Sequence, residues 1–267
     1  MKVPISKNDC CGCSACAGVC PTSAISMKTD SEGFMYPFID EKKCVDCSKC
    51  AKMCAFANRT LEKASPDNVV CYVAKHNDCN IRMNSRSGGV FVSFSDWIIS
   101  NGGVVYGCVL NENFEAVHVR ASTYEERNRM CRSKYVQSNT VNVFDKIKAD
   151  LDNNVMVLFS GTGCQADALY AFLKSSDTTT DLLYTIDIIC HGCVSPEIFS
   201  DYIKYLEKKY NGRVIDFDFR DKTVCGWEGH TESFVINGKK HKSVAYREIF
   251  PELYHTDHPV ITAGMLQ

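Results

Sequence analysis

Two short cysteine motifs limit what this chain can fold into more than any other feature of its sequence. Both have the spacing C-x2-C-x2-C-x3-C, and their members are Cys10, Cys13, Cys16 and Cys20, then Cys44, Cys47, Cys50 and Cys54. Nine of the 17 cysteines lie in the first 54 residues, and an odd total in a chain without an apolar leader argues against a disulfide framework. Thiolates bound to metal are the better explanation.

The spacing selects the type of metal centre. Repeats of this kind are typical of domains with two [4Fe-4S] clusters, in which the fourth cysteine of each repeat binds the other cluster. The predicted ligands are Cys10, Cys13, Cys16 and Cys54 for cluster 1, and Cys44, Cys47, Cys50 and Cys20 for cluster 2. Zinc is the alternative, and it is disfavoured because zinc sites use two separated pairs of ligands. Cys11 is surplus to both sets and is interpreted as a small apolar filler or weak donor.

The rest of the composition excludes several classes of partner. The net charge is −2, the isoelectric point is near 6.4, and no run of like charges stands out. We therefore expect no nucleic-acid partner and no charged membrane-binding surface. No segment approaches the roughly 18 uncharged apolar residues that a spanning helix needs, so we expect a cytoplasmic protein without a membrane span.

Three regions are predicted from the change in residue pattern along the chain. Residues 1–58 form a ferredoxin-type domain, 59–68 a polar linker and 69–267 a larger domain. The fold class is α+β: a ferredoxin-like 2[4Fe-4S] module followed by a mixed α/β domain. Asn237-Gly238 predicts a type I′ hairpin. Apolar runs predict strands at 69–74, 103–110, 115–121, 155–160, 182–190 and 214–219.

Two helices are predicted with definite buried faces. Phe144, Ile147 and Leu151 fall on one side of the first helix. Ser195 can cap the second helix, and Pro196 fits its first turn, where a missing N–H costs nothing. The predicted buried stripe of this helix is Ile198, Tyr202, Ile203, Leu206 and Tyr210.

Six motifs in the larger domain resemble a known family. They are SRSGGVF (85–91), GGVVYG (102–107), SKYVQS (133–138), VLFSGTGCQ (157–165), DIICHG (187–192) and FRDKTVCGW (219–227). In this order they are similar to the coenzyme F-420 hydrogenase/dehydrogenase beta-subunit family, and the resemblance includes the ferredoxin-type domain. It implies an oxidoreductase that combines [4Fe-4S] clusters with FAD or another flavin. It also implies a redox partner protein or subunit and, as a possible substrate, coenzyme F-420.

Two of these motifs carry candidate flavin contacts. The first is the run Ser87, Gly88 and Gly89, which leads into the helix-like stretch GVFVSFSDWII. Glycines and a helix N-terminus let phosphate oxygens approach the backbone, although a helix cap with a tight turn is the alternative. In the second motif, the Lys134 charge is a candidate contact for a phosphate or flavin ring, and the Tyr135 ring is a candidate for stacking on the flavin. An ordinary strand that begins with a solvated lysine explains the motif equally well. Arg132 stands where the family usually has glycine, and its bulk opposes a close approach by the cofactor.

Two further cysteines end apolar runs of the α/β domain. Cys164 follows one run and Cys190 another, and the ends of such strands face one crevice in an open sheet. They could form half of a third cluster, with Cys193 as a substitute ligand for a C-x-x-C that the family supplies further on. Buried free thiols are the first alternative. The second is a catalytic thiolate of Cys164 near His191.

Other polar residues are predicted to be scaffold. The isolated histidines are His76, His118 and His230. A salt-linked strand end is predicted for Asp218, Arg220, Asp221 and Lys222, although the family treats FRDK as a signature.

The carboxyl terminus departs from the family pattern. Family members continue into a segment resembling LRPxCxxC, whereas this chain ends YHTDHPVITAGMLQ. Shifted by one nucleotide, the codons of residues 262–267 permit Arg-Pro-Ala-Cys-Tyr, and the cysteine is forced. The hypothesis is that a frameshift near His258 truncated a longer family member.

The sequence therefore predicts an oxidoreductase that passes electrons between two [4Fe-4S] clusters and a flavin. The first alternative is a pure electron-transfer module whose large domain only docks a partner. The second is a cysteine-dependent transferase in which the clusters serve the structure.

Overall fold

The computed structural model describes residues 6–58, 70–190, 192–227 and 231–246. It confirms the α+β prediction, because a small cysteine-rich domain precedes a domain of helices and mixed sheet. The predicted linker at 59–68 and the hypothetical frameshift near His258 lie outside the described residues. None of the described helices has the length and apolar character needed to cross a membrane.

The cysteine-rich domain has two halves of similar construction. Its elements are a 3-10 helix at Lys7–Asp9, α1 at Ala15–Gly18, β1 at Ile25–Thr29, β2 at Met35–Ile39 and α2 at Lys49–Met53. The two strands pair antiparallel, with Ile25 opposite Ile39. A two-stranded ribbon is only marginally stable alone, so this domain depends on its metal centres and on the domain beside it.

A four-stranded sheet forms the centre of the larger domain. In spatial order it is β4 (Ala116–Ala121), β3 (Val104–Leu110), β5 (Val157–Thr162) and β6 (Leu183–Ile188). β3 and β4 form an antiparallel hairpin, whereas β3, β5 and β6 run parallel. The accompanying helices are α3 (Cys79–Asn84), α4 (Val90–Ser100), α5 (Tyr124–Asn128), α6 (Val143–Asp152) and α7 (Gly163–Ser175).

A second, antiparallel sheet follows in the chain. It consists of β7 (Val214–Asp218), β8 (Glu232–Ile236) and β9 (Lys239–Ser243), accompanied by α8 (Pro196–Tyr210) and α9 (Lys222–Cys225). An aromatic cluster joins α8 to this sheet, since Phe199 lies 5.2 Å from Phe217 and 4.8 Å from Phe219, ring centroid to ring centroid.

The two domains share one apolar core. Ala15 of α1 and Met53 of α2 are buried in the same cluster as Phe144 of α6 and Phe172 of α7. A Cβ atom added at Gly18 would lie 3.1 Å from the Phe172 ring, so the helices approach closely there. The cysteine-rich domain is therefore packed against the larger domain rather than tethered to it.

One predicted strand is wrong. Residues 70–74 of the predicted strand 69–74 form no strand, and Tyr72 and Val73 are exposed. The β-branched residues of this run suit a strand, but such residues form a strand only where a partner strand and a buried face are present. The predicted strands at 103–110, 115–121, 155–160, 182–190 and 214–219 correspond to β3 to β7, with shifts at their ends.

Both predicted helices are present. Phe144, Ile147 and Leu151 are buried along α6. The Ser195 side chain accepts hydrogen bonds from the N–H groups of Glu197 and Ile198 at the start of α8. In the predicted stripe, Tyr202, Ile203 and Leu206 are buried, while Ile198 and Tyr210 are only partly buried; Phe199, which the prediction omitted, is buried. The hairpin turn between β8 and β9 has positive φ at Asn237 and Gly238, as a type I′ turn requires.

A buried arginine ties α5 to α4. Arg127 is 3% exposed, and its guanidinium donates to the Val92 carbonyl at 3.0 Å, to the Ser95 hydroxyl and to the Asp96 carboxylate at 2.6 Å. Because arginine cannot be deprotonated in a protein, each of these acceptors is satisfied by a permanent cation.

Replacing this cation should destabilise the domain. We expect Arg127→Ala to lower the free energy of unfolding by about 2–4 kcal/mol, because the buried acceptors lose their donor. Arg129→Ala, two residues along at an exposed position, is the matched control and should change it by less than about 0.5 kcal/mol. Denaturant unfolding measures both values, and equal effects would contradict the assigned role of Arg127.

A buried histidine lies in the hairpin of the central sheet. The His118 ring stacks on Phe159, and Nε2 lies 3.2 Å from the Ser160 carbonyl. The other ring nitrogen has no partner among the described residues. Burial lowers the pKa of His118 to about 4.

This histidine should make the fold sensitive to mild acid. Below a pH of about 6.5 the unfolded chain binds a proton that the folded chain refuses until about pH 4, so stability falls as the pH drops through that window. We expect a loss of about 1 kcal/mol between about pH 7.5 and about pH 5.5, and a smaller loss in His118→Gln. Denaturant unfolding at the two pH values measures this, with His76→Gln as control. Identical pH dependence in the wild type and His118→Gln would contradict the prediction.

Candidate redox site

The structure brings the four predicted ligands of cluster 1 together. Burial first, and then the nearby charges of Cys13 and Cys54, raise the pKa of Cys10 to about 11. Burial likewise raises the pKa of Cys16, with added repulsion from Cys13, Cys10 and Cys54. Cys54 comes from the second repeat and lies near Cys10 and Cys16, while the exchange of fourth ligands stays a prediction.

The predicted ligands of cluster 2 line one small hollow. Its walls include all four, namely Cys20, Cys44, Cys47 and Cys50. The backbone N–H of Ala24 donates to the Cys20 sulfur at 3.3 Å. A hydrogen bond to a ligand sulfur is one of the means by which a protein tunes the reduction potential of a cluster.

Both repeats wind through the same unusual backbone conformations. Gly12 and Ser14 in the first repeat have φ of +69° and +62°, and Asp46 and Ser48 at the equivalent places have +52° and +60°. Such left-handed residues are uncommon outside glycine. The two repeats therefore follow similar backbone paths through their first three cysteines.

Four thiolates in each predicted set are the donors that a [4Fe-4S] cluster takes. Among the described residues, no group of three His, Cys, Asp or Glu side chains could hold a single metal ion. A cubane makes a different demand, because each of its four irons takes one thiolate. Two gatherings of four cysteines meet that demand.

The first repeat is bound directly to the α/β domain. The Gln137 side chain accepts from the Met35 N–H at 3.0 Å and donates to the Cys11 carbonyl at 3.4 Å. The Thr140 hydroxyl donates to the Cys13 carbonyl at 3.0 Å. A Cβ at position 12 would lie 2.8 Å from Gln137, so Gly12 permits this approach. The sequence offered no signal for these contacts beyond the presence of Gln137 in the motif SKYVQS.

Cys164 lies at the start of α7, facing the cysteine-rich domain. A hydrogen bond from Cys11 lowers the pKa of Cys164 to about 7, and burial opposes the effect. The Thr162 hydroxyl lies 3.0 Å from the Cys164 sulfur and caps the helix together with Gln165. Gln165 in turn donates to the Ser138 hydroxyl at 2.9 Å.

Cys190 and Cys193 join this group of thiols. Both lie close enough to Cys164 for the sulfurs to influence one another's ionisation. The structure therefore gathers the cysteines suggested for a third cluster and adds Cys11, which the sequence analysis had treated as surplus. His191, the suggested base for a catalytic thiolate, lies outside the described residues.

The glycines of SRSGGVF are explained by the chain's own backbone. The Gly88 carbonyl accepts from the His76 N–H at 2.7 Å, and a Cβ at Gly88 would lie 2.8 Å from the Ala74 carbonyl oxygen. Gly89 has φ +81° and caps α4. These contacts favour the tight turn and helix cap over a phosphate cradle at Ser87, Gly88 and Gly89.

The partly buried Lys134 side chain is engaged by the backbone of its own segment. Its ammonium donates to four backbone carbonyls at 2.8–3.2 Å, those of Arg129, Met130, Cys131 and Arg132. Burial lowers its pKa. The ammonium thus closes the turn after α5, and the contact of Lys134 with a phosphate or flavin ring stays a prediction. The Tyr135 hydroxyl accepts from Arg86 at 3.1 Å, and its ring meets Phe219 edge to face.

A cleft of about 890 Å³ opens beside this segment. Its cations are Arg127, Arg129, Arg132, Lys134 and Arg213, and its carboxylates are Asp96, Glu112, Asp216 and Asp218. The Arg132 guanidinium lies 3.2 Å from the Asp218 carboxylate, so its bulk does enter the cleft. Arg132 has φ +70°, which agrees with the glycine that the family has there. Among the described residues, no carboxylate pairs with Arg129 or Arg213.

The FRDK motif forms a salt-linked structure at the end of β7. Burial opposes ionisation of Asp221, but hydrogen bonds from Lys240 and Thr223 hold its pKa well below the usual range. Lys222 donates to the Arg82 carbonyl at 2.7 Å and lies 3.6 Å from the centre of the Trp227 ring. The scaffold interpretation accounts for these two residues.

Comparison with known proteins finds matches to two parts of the chain. Residues 9–58 match the family model of a 4Fe-4S dicluster domain, and residues 155–256 match the model for the C terminus of the coenzyme F420 hydrogenase/dehydrogenase beta subunit. A chain in a xenon-derivatised structure of the F420-reducing [NiFe] hydrogenase complex from Methanosarcina barkeri is 14% identical, with a TM-score of 0.45. The match covers 66% of this chain and 60% of the length of that one. No curated protein sequence matches closely.

The exchange of fourth ligands can be tested with four variants. If Cys20 belongs to cluster 2, Cys20→Ala and Cys47→Ala should both perturb cluster 2 and leave cluster 1 intact. Cys13→Ala and Cys54→Ala should both perturb cluster 1 and leave cluster 2 intact. Electron paramagnetic resonance of the anaerobically reduced variants distinguishes the two remaining signals. Cys79→Ala, at an exposed position on α3, is the control and should keep both. A Cys20→Ala spectrum identical to that of Cys13→Ala would contradict the exchange.

Proposed function

We propose that this chain, which belongs to the coenzyme F420 hydrogenase/dehydrogenase beta-subunit family, is an oxidoreductase that passes electrons between two [4Fe-4S] clusters and a flavin in the cleft. The 4Fe-4S dicluster domain assigns iron–sulfur electron transfer to it. The flavin, its place in the cleft and the reaction are the elements that we propose.

One observation carries the proposal: a single short segment connects the cleft to the cluster loop. Lys134 lines the cleft, and Gln137 binds the backbone of Cys11 beside the cluster 1 cysteines. Three residues of extended chain span at most about 11 Å. Electrons therefore have a short route between the cluster loop and whatever occupies the cleft.

The cleft has the size and charge that a flavin nucleotide requires. Its volume lies within the range of roughly 300–1,000 Å³ that is usual for cofactor pockets. Arg129 and Arg213 have guanidinium groups free of described carboxylates, and phosphate oxygens are the groups that arginine binds best. Leu110 and Phe114 supply apolar wall for a ring system. A flavin in this place would convert single-electron transfer into hydride chemistry.

The chain's own residues would hold and orient the flavin and the cluster loop. Lys134 closes the turn behind Arg129 and so fixes the backbone from which that guanidinium extends. Gln137 fixes the cluster loop against the same segment. The Arg132–Asp218 pair crosses the cleft, so an anionic ligand that displaces Asp218 would bind Arg132 in its place.

Substrate and partner follow from the family. A hydride carrier such as coenzyme F-420 is the substrate class, and a redox protein or partner subunit would exchange single electrons with the clusters. The alternative of a pure electron-transfer module would leave the cleft without flavin. A transferase would need Cys164 as nucleophile, and the lowered pKa of Cys164 suits that role. The hydrogen bond between Cys164 and Cys11, however, favours a role beside the cluster loop.

The test is flavin binding to anaerobically prepared protein. We expect bound FAD or another flavin by absorbance, and at least about tenfold weaker binding in Arg129→Gln and in Arg213→Gln, because each loses a charged hydrogen bond to phosphate. Lys208→Gln, an exposed residue of α8 outside the cleft lining, is the matched control.

Two outcomes would contradict the proposal in different ways. If the protein has two intact clusters and no affinity for any flavin, the pure electron-transfer module is the function that remains. Flavin binding unaffected by both cleft variants would place the flavin elsewhere. Reduction of bound flavin by dithionite-reduced clusters, followed spectroscopically, tests the electron route itself.

A further inference from the structure

The loop that carries three of the predicted cluster 2 ligands lies at the protein surface. Cys47 is exposed, and Val45, between Cys44 and Cys47, is 63% exposed. The first repeat differs, because Cys13 and Cys16 pack against the apolar core that the two domains share. A redox partner has to come close to a cluster before an electron can cross between them. Of the two predicted clusters, cluster 2 is therefore the more open to a partner protein.

Four exposed lysines flank this loop and form what we call the lysine surface. They are Lys42, Lys43, Lys49 and Lys52. Lys49 also lines the hollow of the cluster 2 cysteines. The Lys43 ammonium lies 3.9 Å from the Asp40 carboxylate, and the other three lysines pair with no carboxylate of the described residues. Most of the positive charge of this surface is thus turned to solvent.

The carboxylates of the same segment leave an excess of positive charge. Residues 40–54 contain the four lysines and three acidic residues, Asp40, Glu41 and Asp46. Asp40 is held by the loop itself, because its carboxylate also accepts from the Lys42 N–H at 3.0 Å. The whole chain has a net charge of −2, so this positive segment differs in sign from the rest. Such a surface favours a partner of opposite charge.

The lysine surface also has the composition of a transient interface. In the chain, the exposed apolar side chain of Val45 lies between the two pairs of lysines. Protein interfaces commonly place an apolar centre inside a polar rim. Charges of the rim act mainly on the rate of association and on its salt dependence. Lysine suits this role because its ammonium is a point charge on a flexible stem.

We propose that the lysine surface docks an acidic one-electron carrier protein beside cluster 2. The inference rests on the clusters of the proposed function and adds the charge of the partner and the place where it binds. In the docked complex one electron passes from the reduced carrier to oxidised cluster 2. The carrier is thereby oxidised and the cluster reduced by one electron, and no bond or proton is transferred.

The first experiment measures binding without electron transfer. The probe is oxidised flavodoxin, a small acidic carrier, titrated by calorimetry into the oxidised full chain with its clusters. At an ionic strength of about 0.1 M, we expect Lys49→Glu/Lys52→Glu to bind at least about tenfold more weakly than the wild type, because the reversed charges repel the probe. Lys239→Glu/Lys242→Glu makes the same change of net charge at exposed positions of β9. This control should bind like the wild type.

The second experiment reverses the sign of the probe. In stopped-flow mixing, reduced flavodoxin should reduce the Lys49→Glu/Lys52→Glu clusters at least about tenfold more slowly than those of the wild type. A basic c-type cytochrome should instead be reduced faster by the reduced variant than by the reduced wild type. Damage to the fold would slow both reactions, so opposite signs identify an effect of charge. Lys42→Glu/Lys43→Glu should give the same pattern without any change in α2.

Three results would overturn the docking surface. The first is equal affinity of Lys49→Glu/Lys52→Glu and of the control for flavodoxin, and the second is slower reaction with both probes. The third is a difference from the wild type that persists at about 1 M ionic strength, where exposed charges are screened within about 3 Å. Such persistence would show a changed cluster rather than a changed encounter. Binding to vesicles of anionic phospholipid without binding to flavodoxin would overturn the proposal in favour of a membrane surface.

The outcomes also separate this inference from the function on which it rests. If the chain binds no flavin of its own but loses affinity for flavodoxin in the lysine variants, the proposed function fails and the docking surface stands. If the cleft binds flavin and the lysine variants match the wild type with both probes, the docking surface fails and the proposed function stands.

Discussion

The hydrogen bonds of Gln137 to the cysteine-rich domain are the polar contact that sets this domain against the α/β domain. The cysteine-rich domain has only a two-stranded ribbon and short helices, which bury little apolar surface by themselves. Gln137 binds two separate segments of that domain, at the Cys11 carbonyl and the Met35 N–H, while Ala15 and Met53 enter the core beneath. Hydrogen bonds and apolar contacts thus fix one relation between the cluster loop and the cleft.

Much of the fold could be predicted because its patterns are local. The stripe Phe144, Ile147 and Leu151, the cap at Ser195 and the turn at Asn237-Gly238 each depend on a few neighbouring residues. The failure at 69–74 has the opposite cause, because a strand also needs a partner that no local pattern supplies. Phe199 was missed since its burial is decided by Phe217 and Phe219, far along the chain.

The candidate site was predictable where spacing alone specifies chemistry. The cysteine repeats predict cluster ligands without knowledge of the fold, because cubane geometry dictates the spacing. Lys134 shows the limit: a lysine beside a tyrosine suggests a ligand contact, yet four carbonyls at the end of α5 surround its ammonium. Cys11 shows the converse, since only the packing of the domains brings it to Cys164.

The left-handed Arg132 gives the cleft a preference among ligands by charge. A glycine at position 132 would place no side chain in the cleft, whereas the Arg132 guanidinium enters the cleft and pairs with Asp218. A neutral ligand would have to separate Arg132 from Asp218 without offering either of them an opposite charge. An anion can replace Asp218 beside the guanidinium, so entry to this cleft becomes an exchange of one negative group for another.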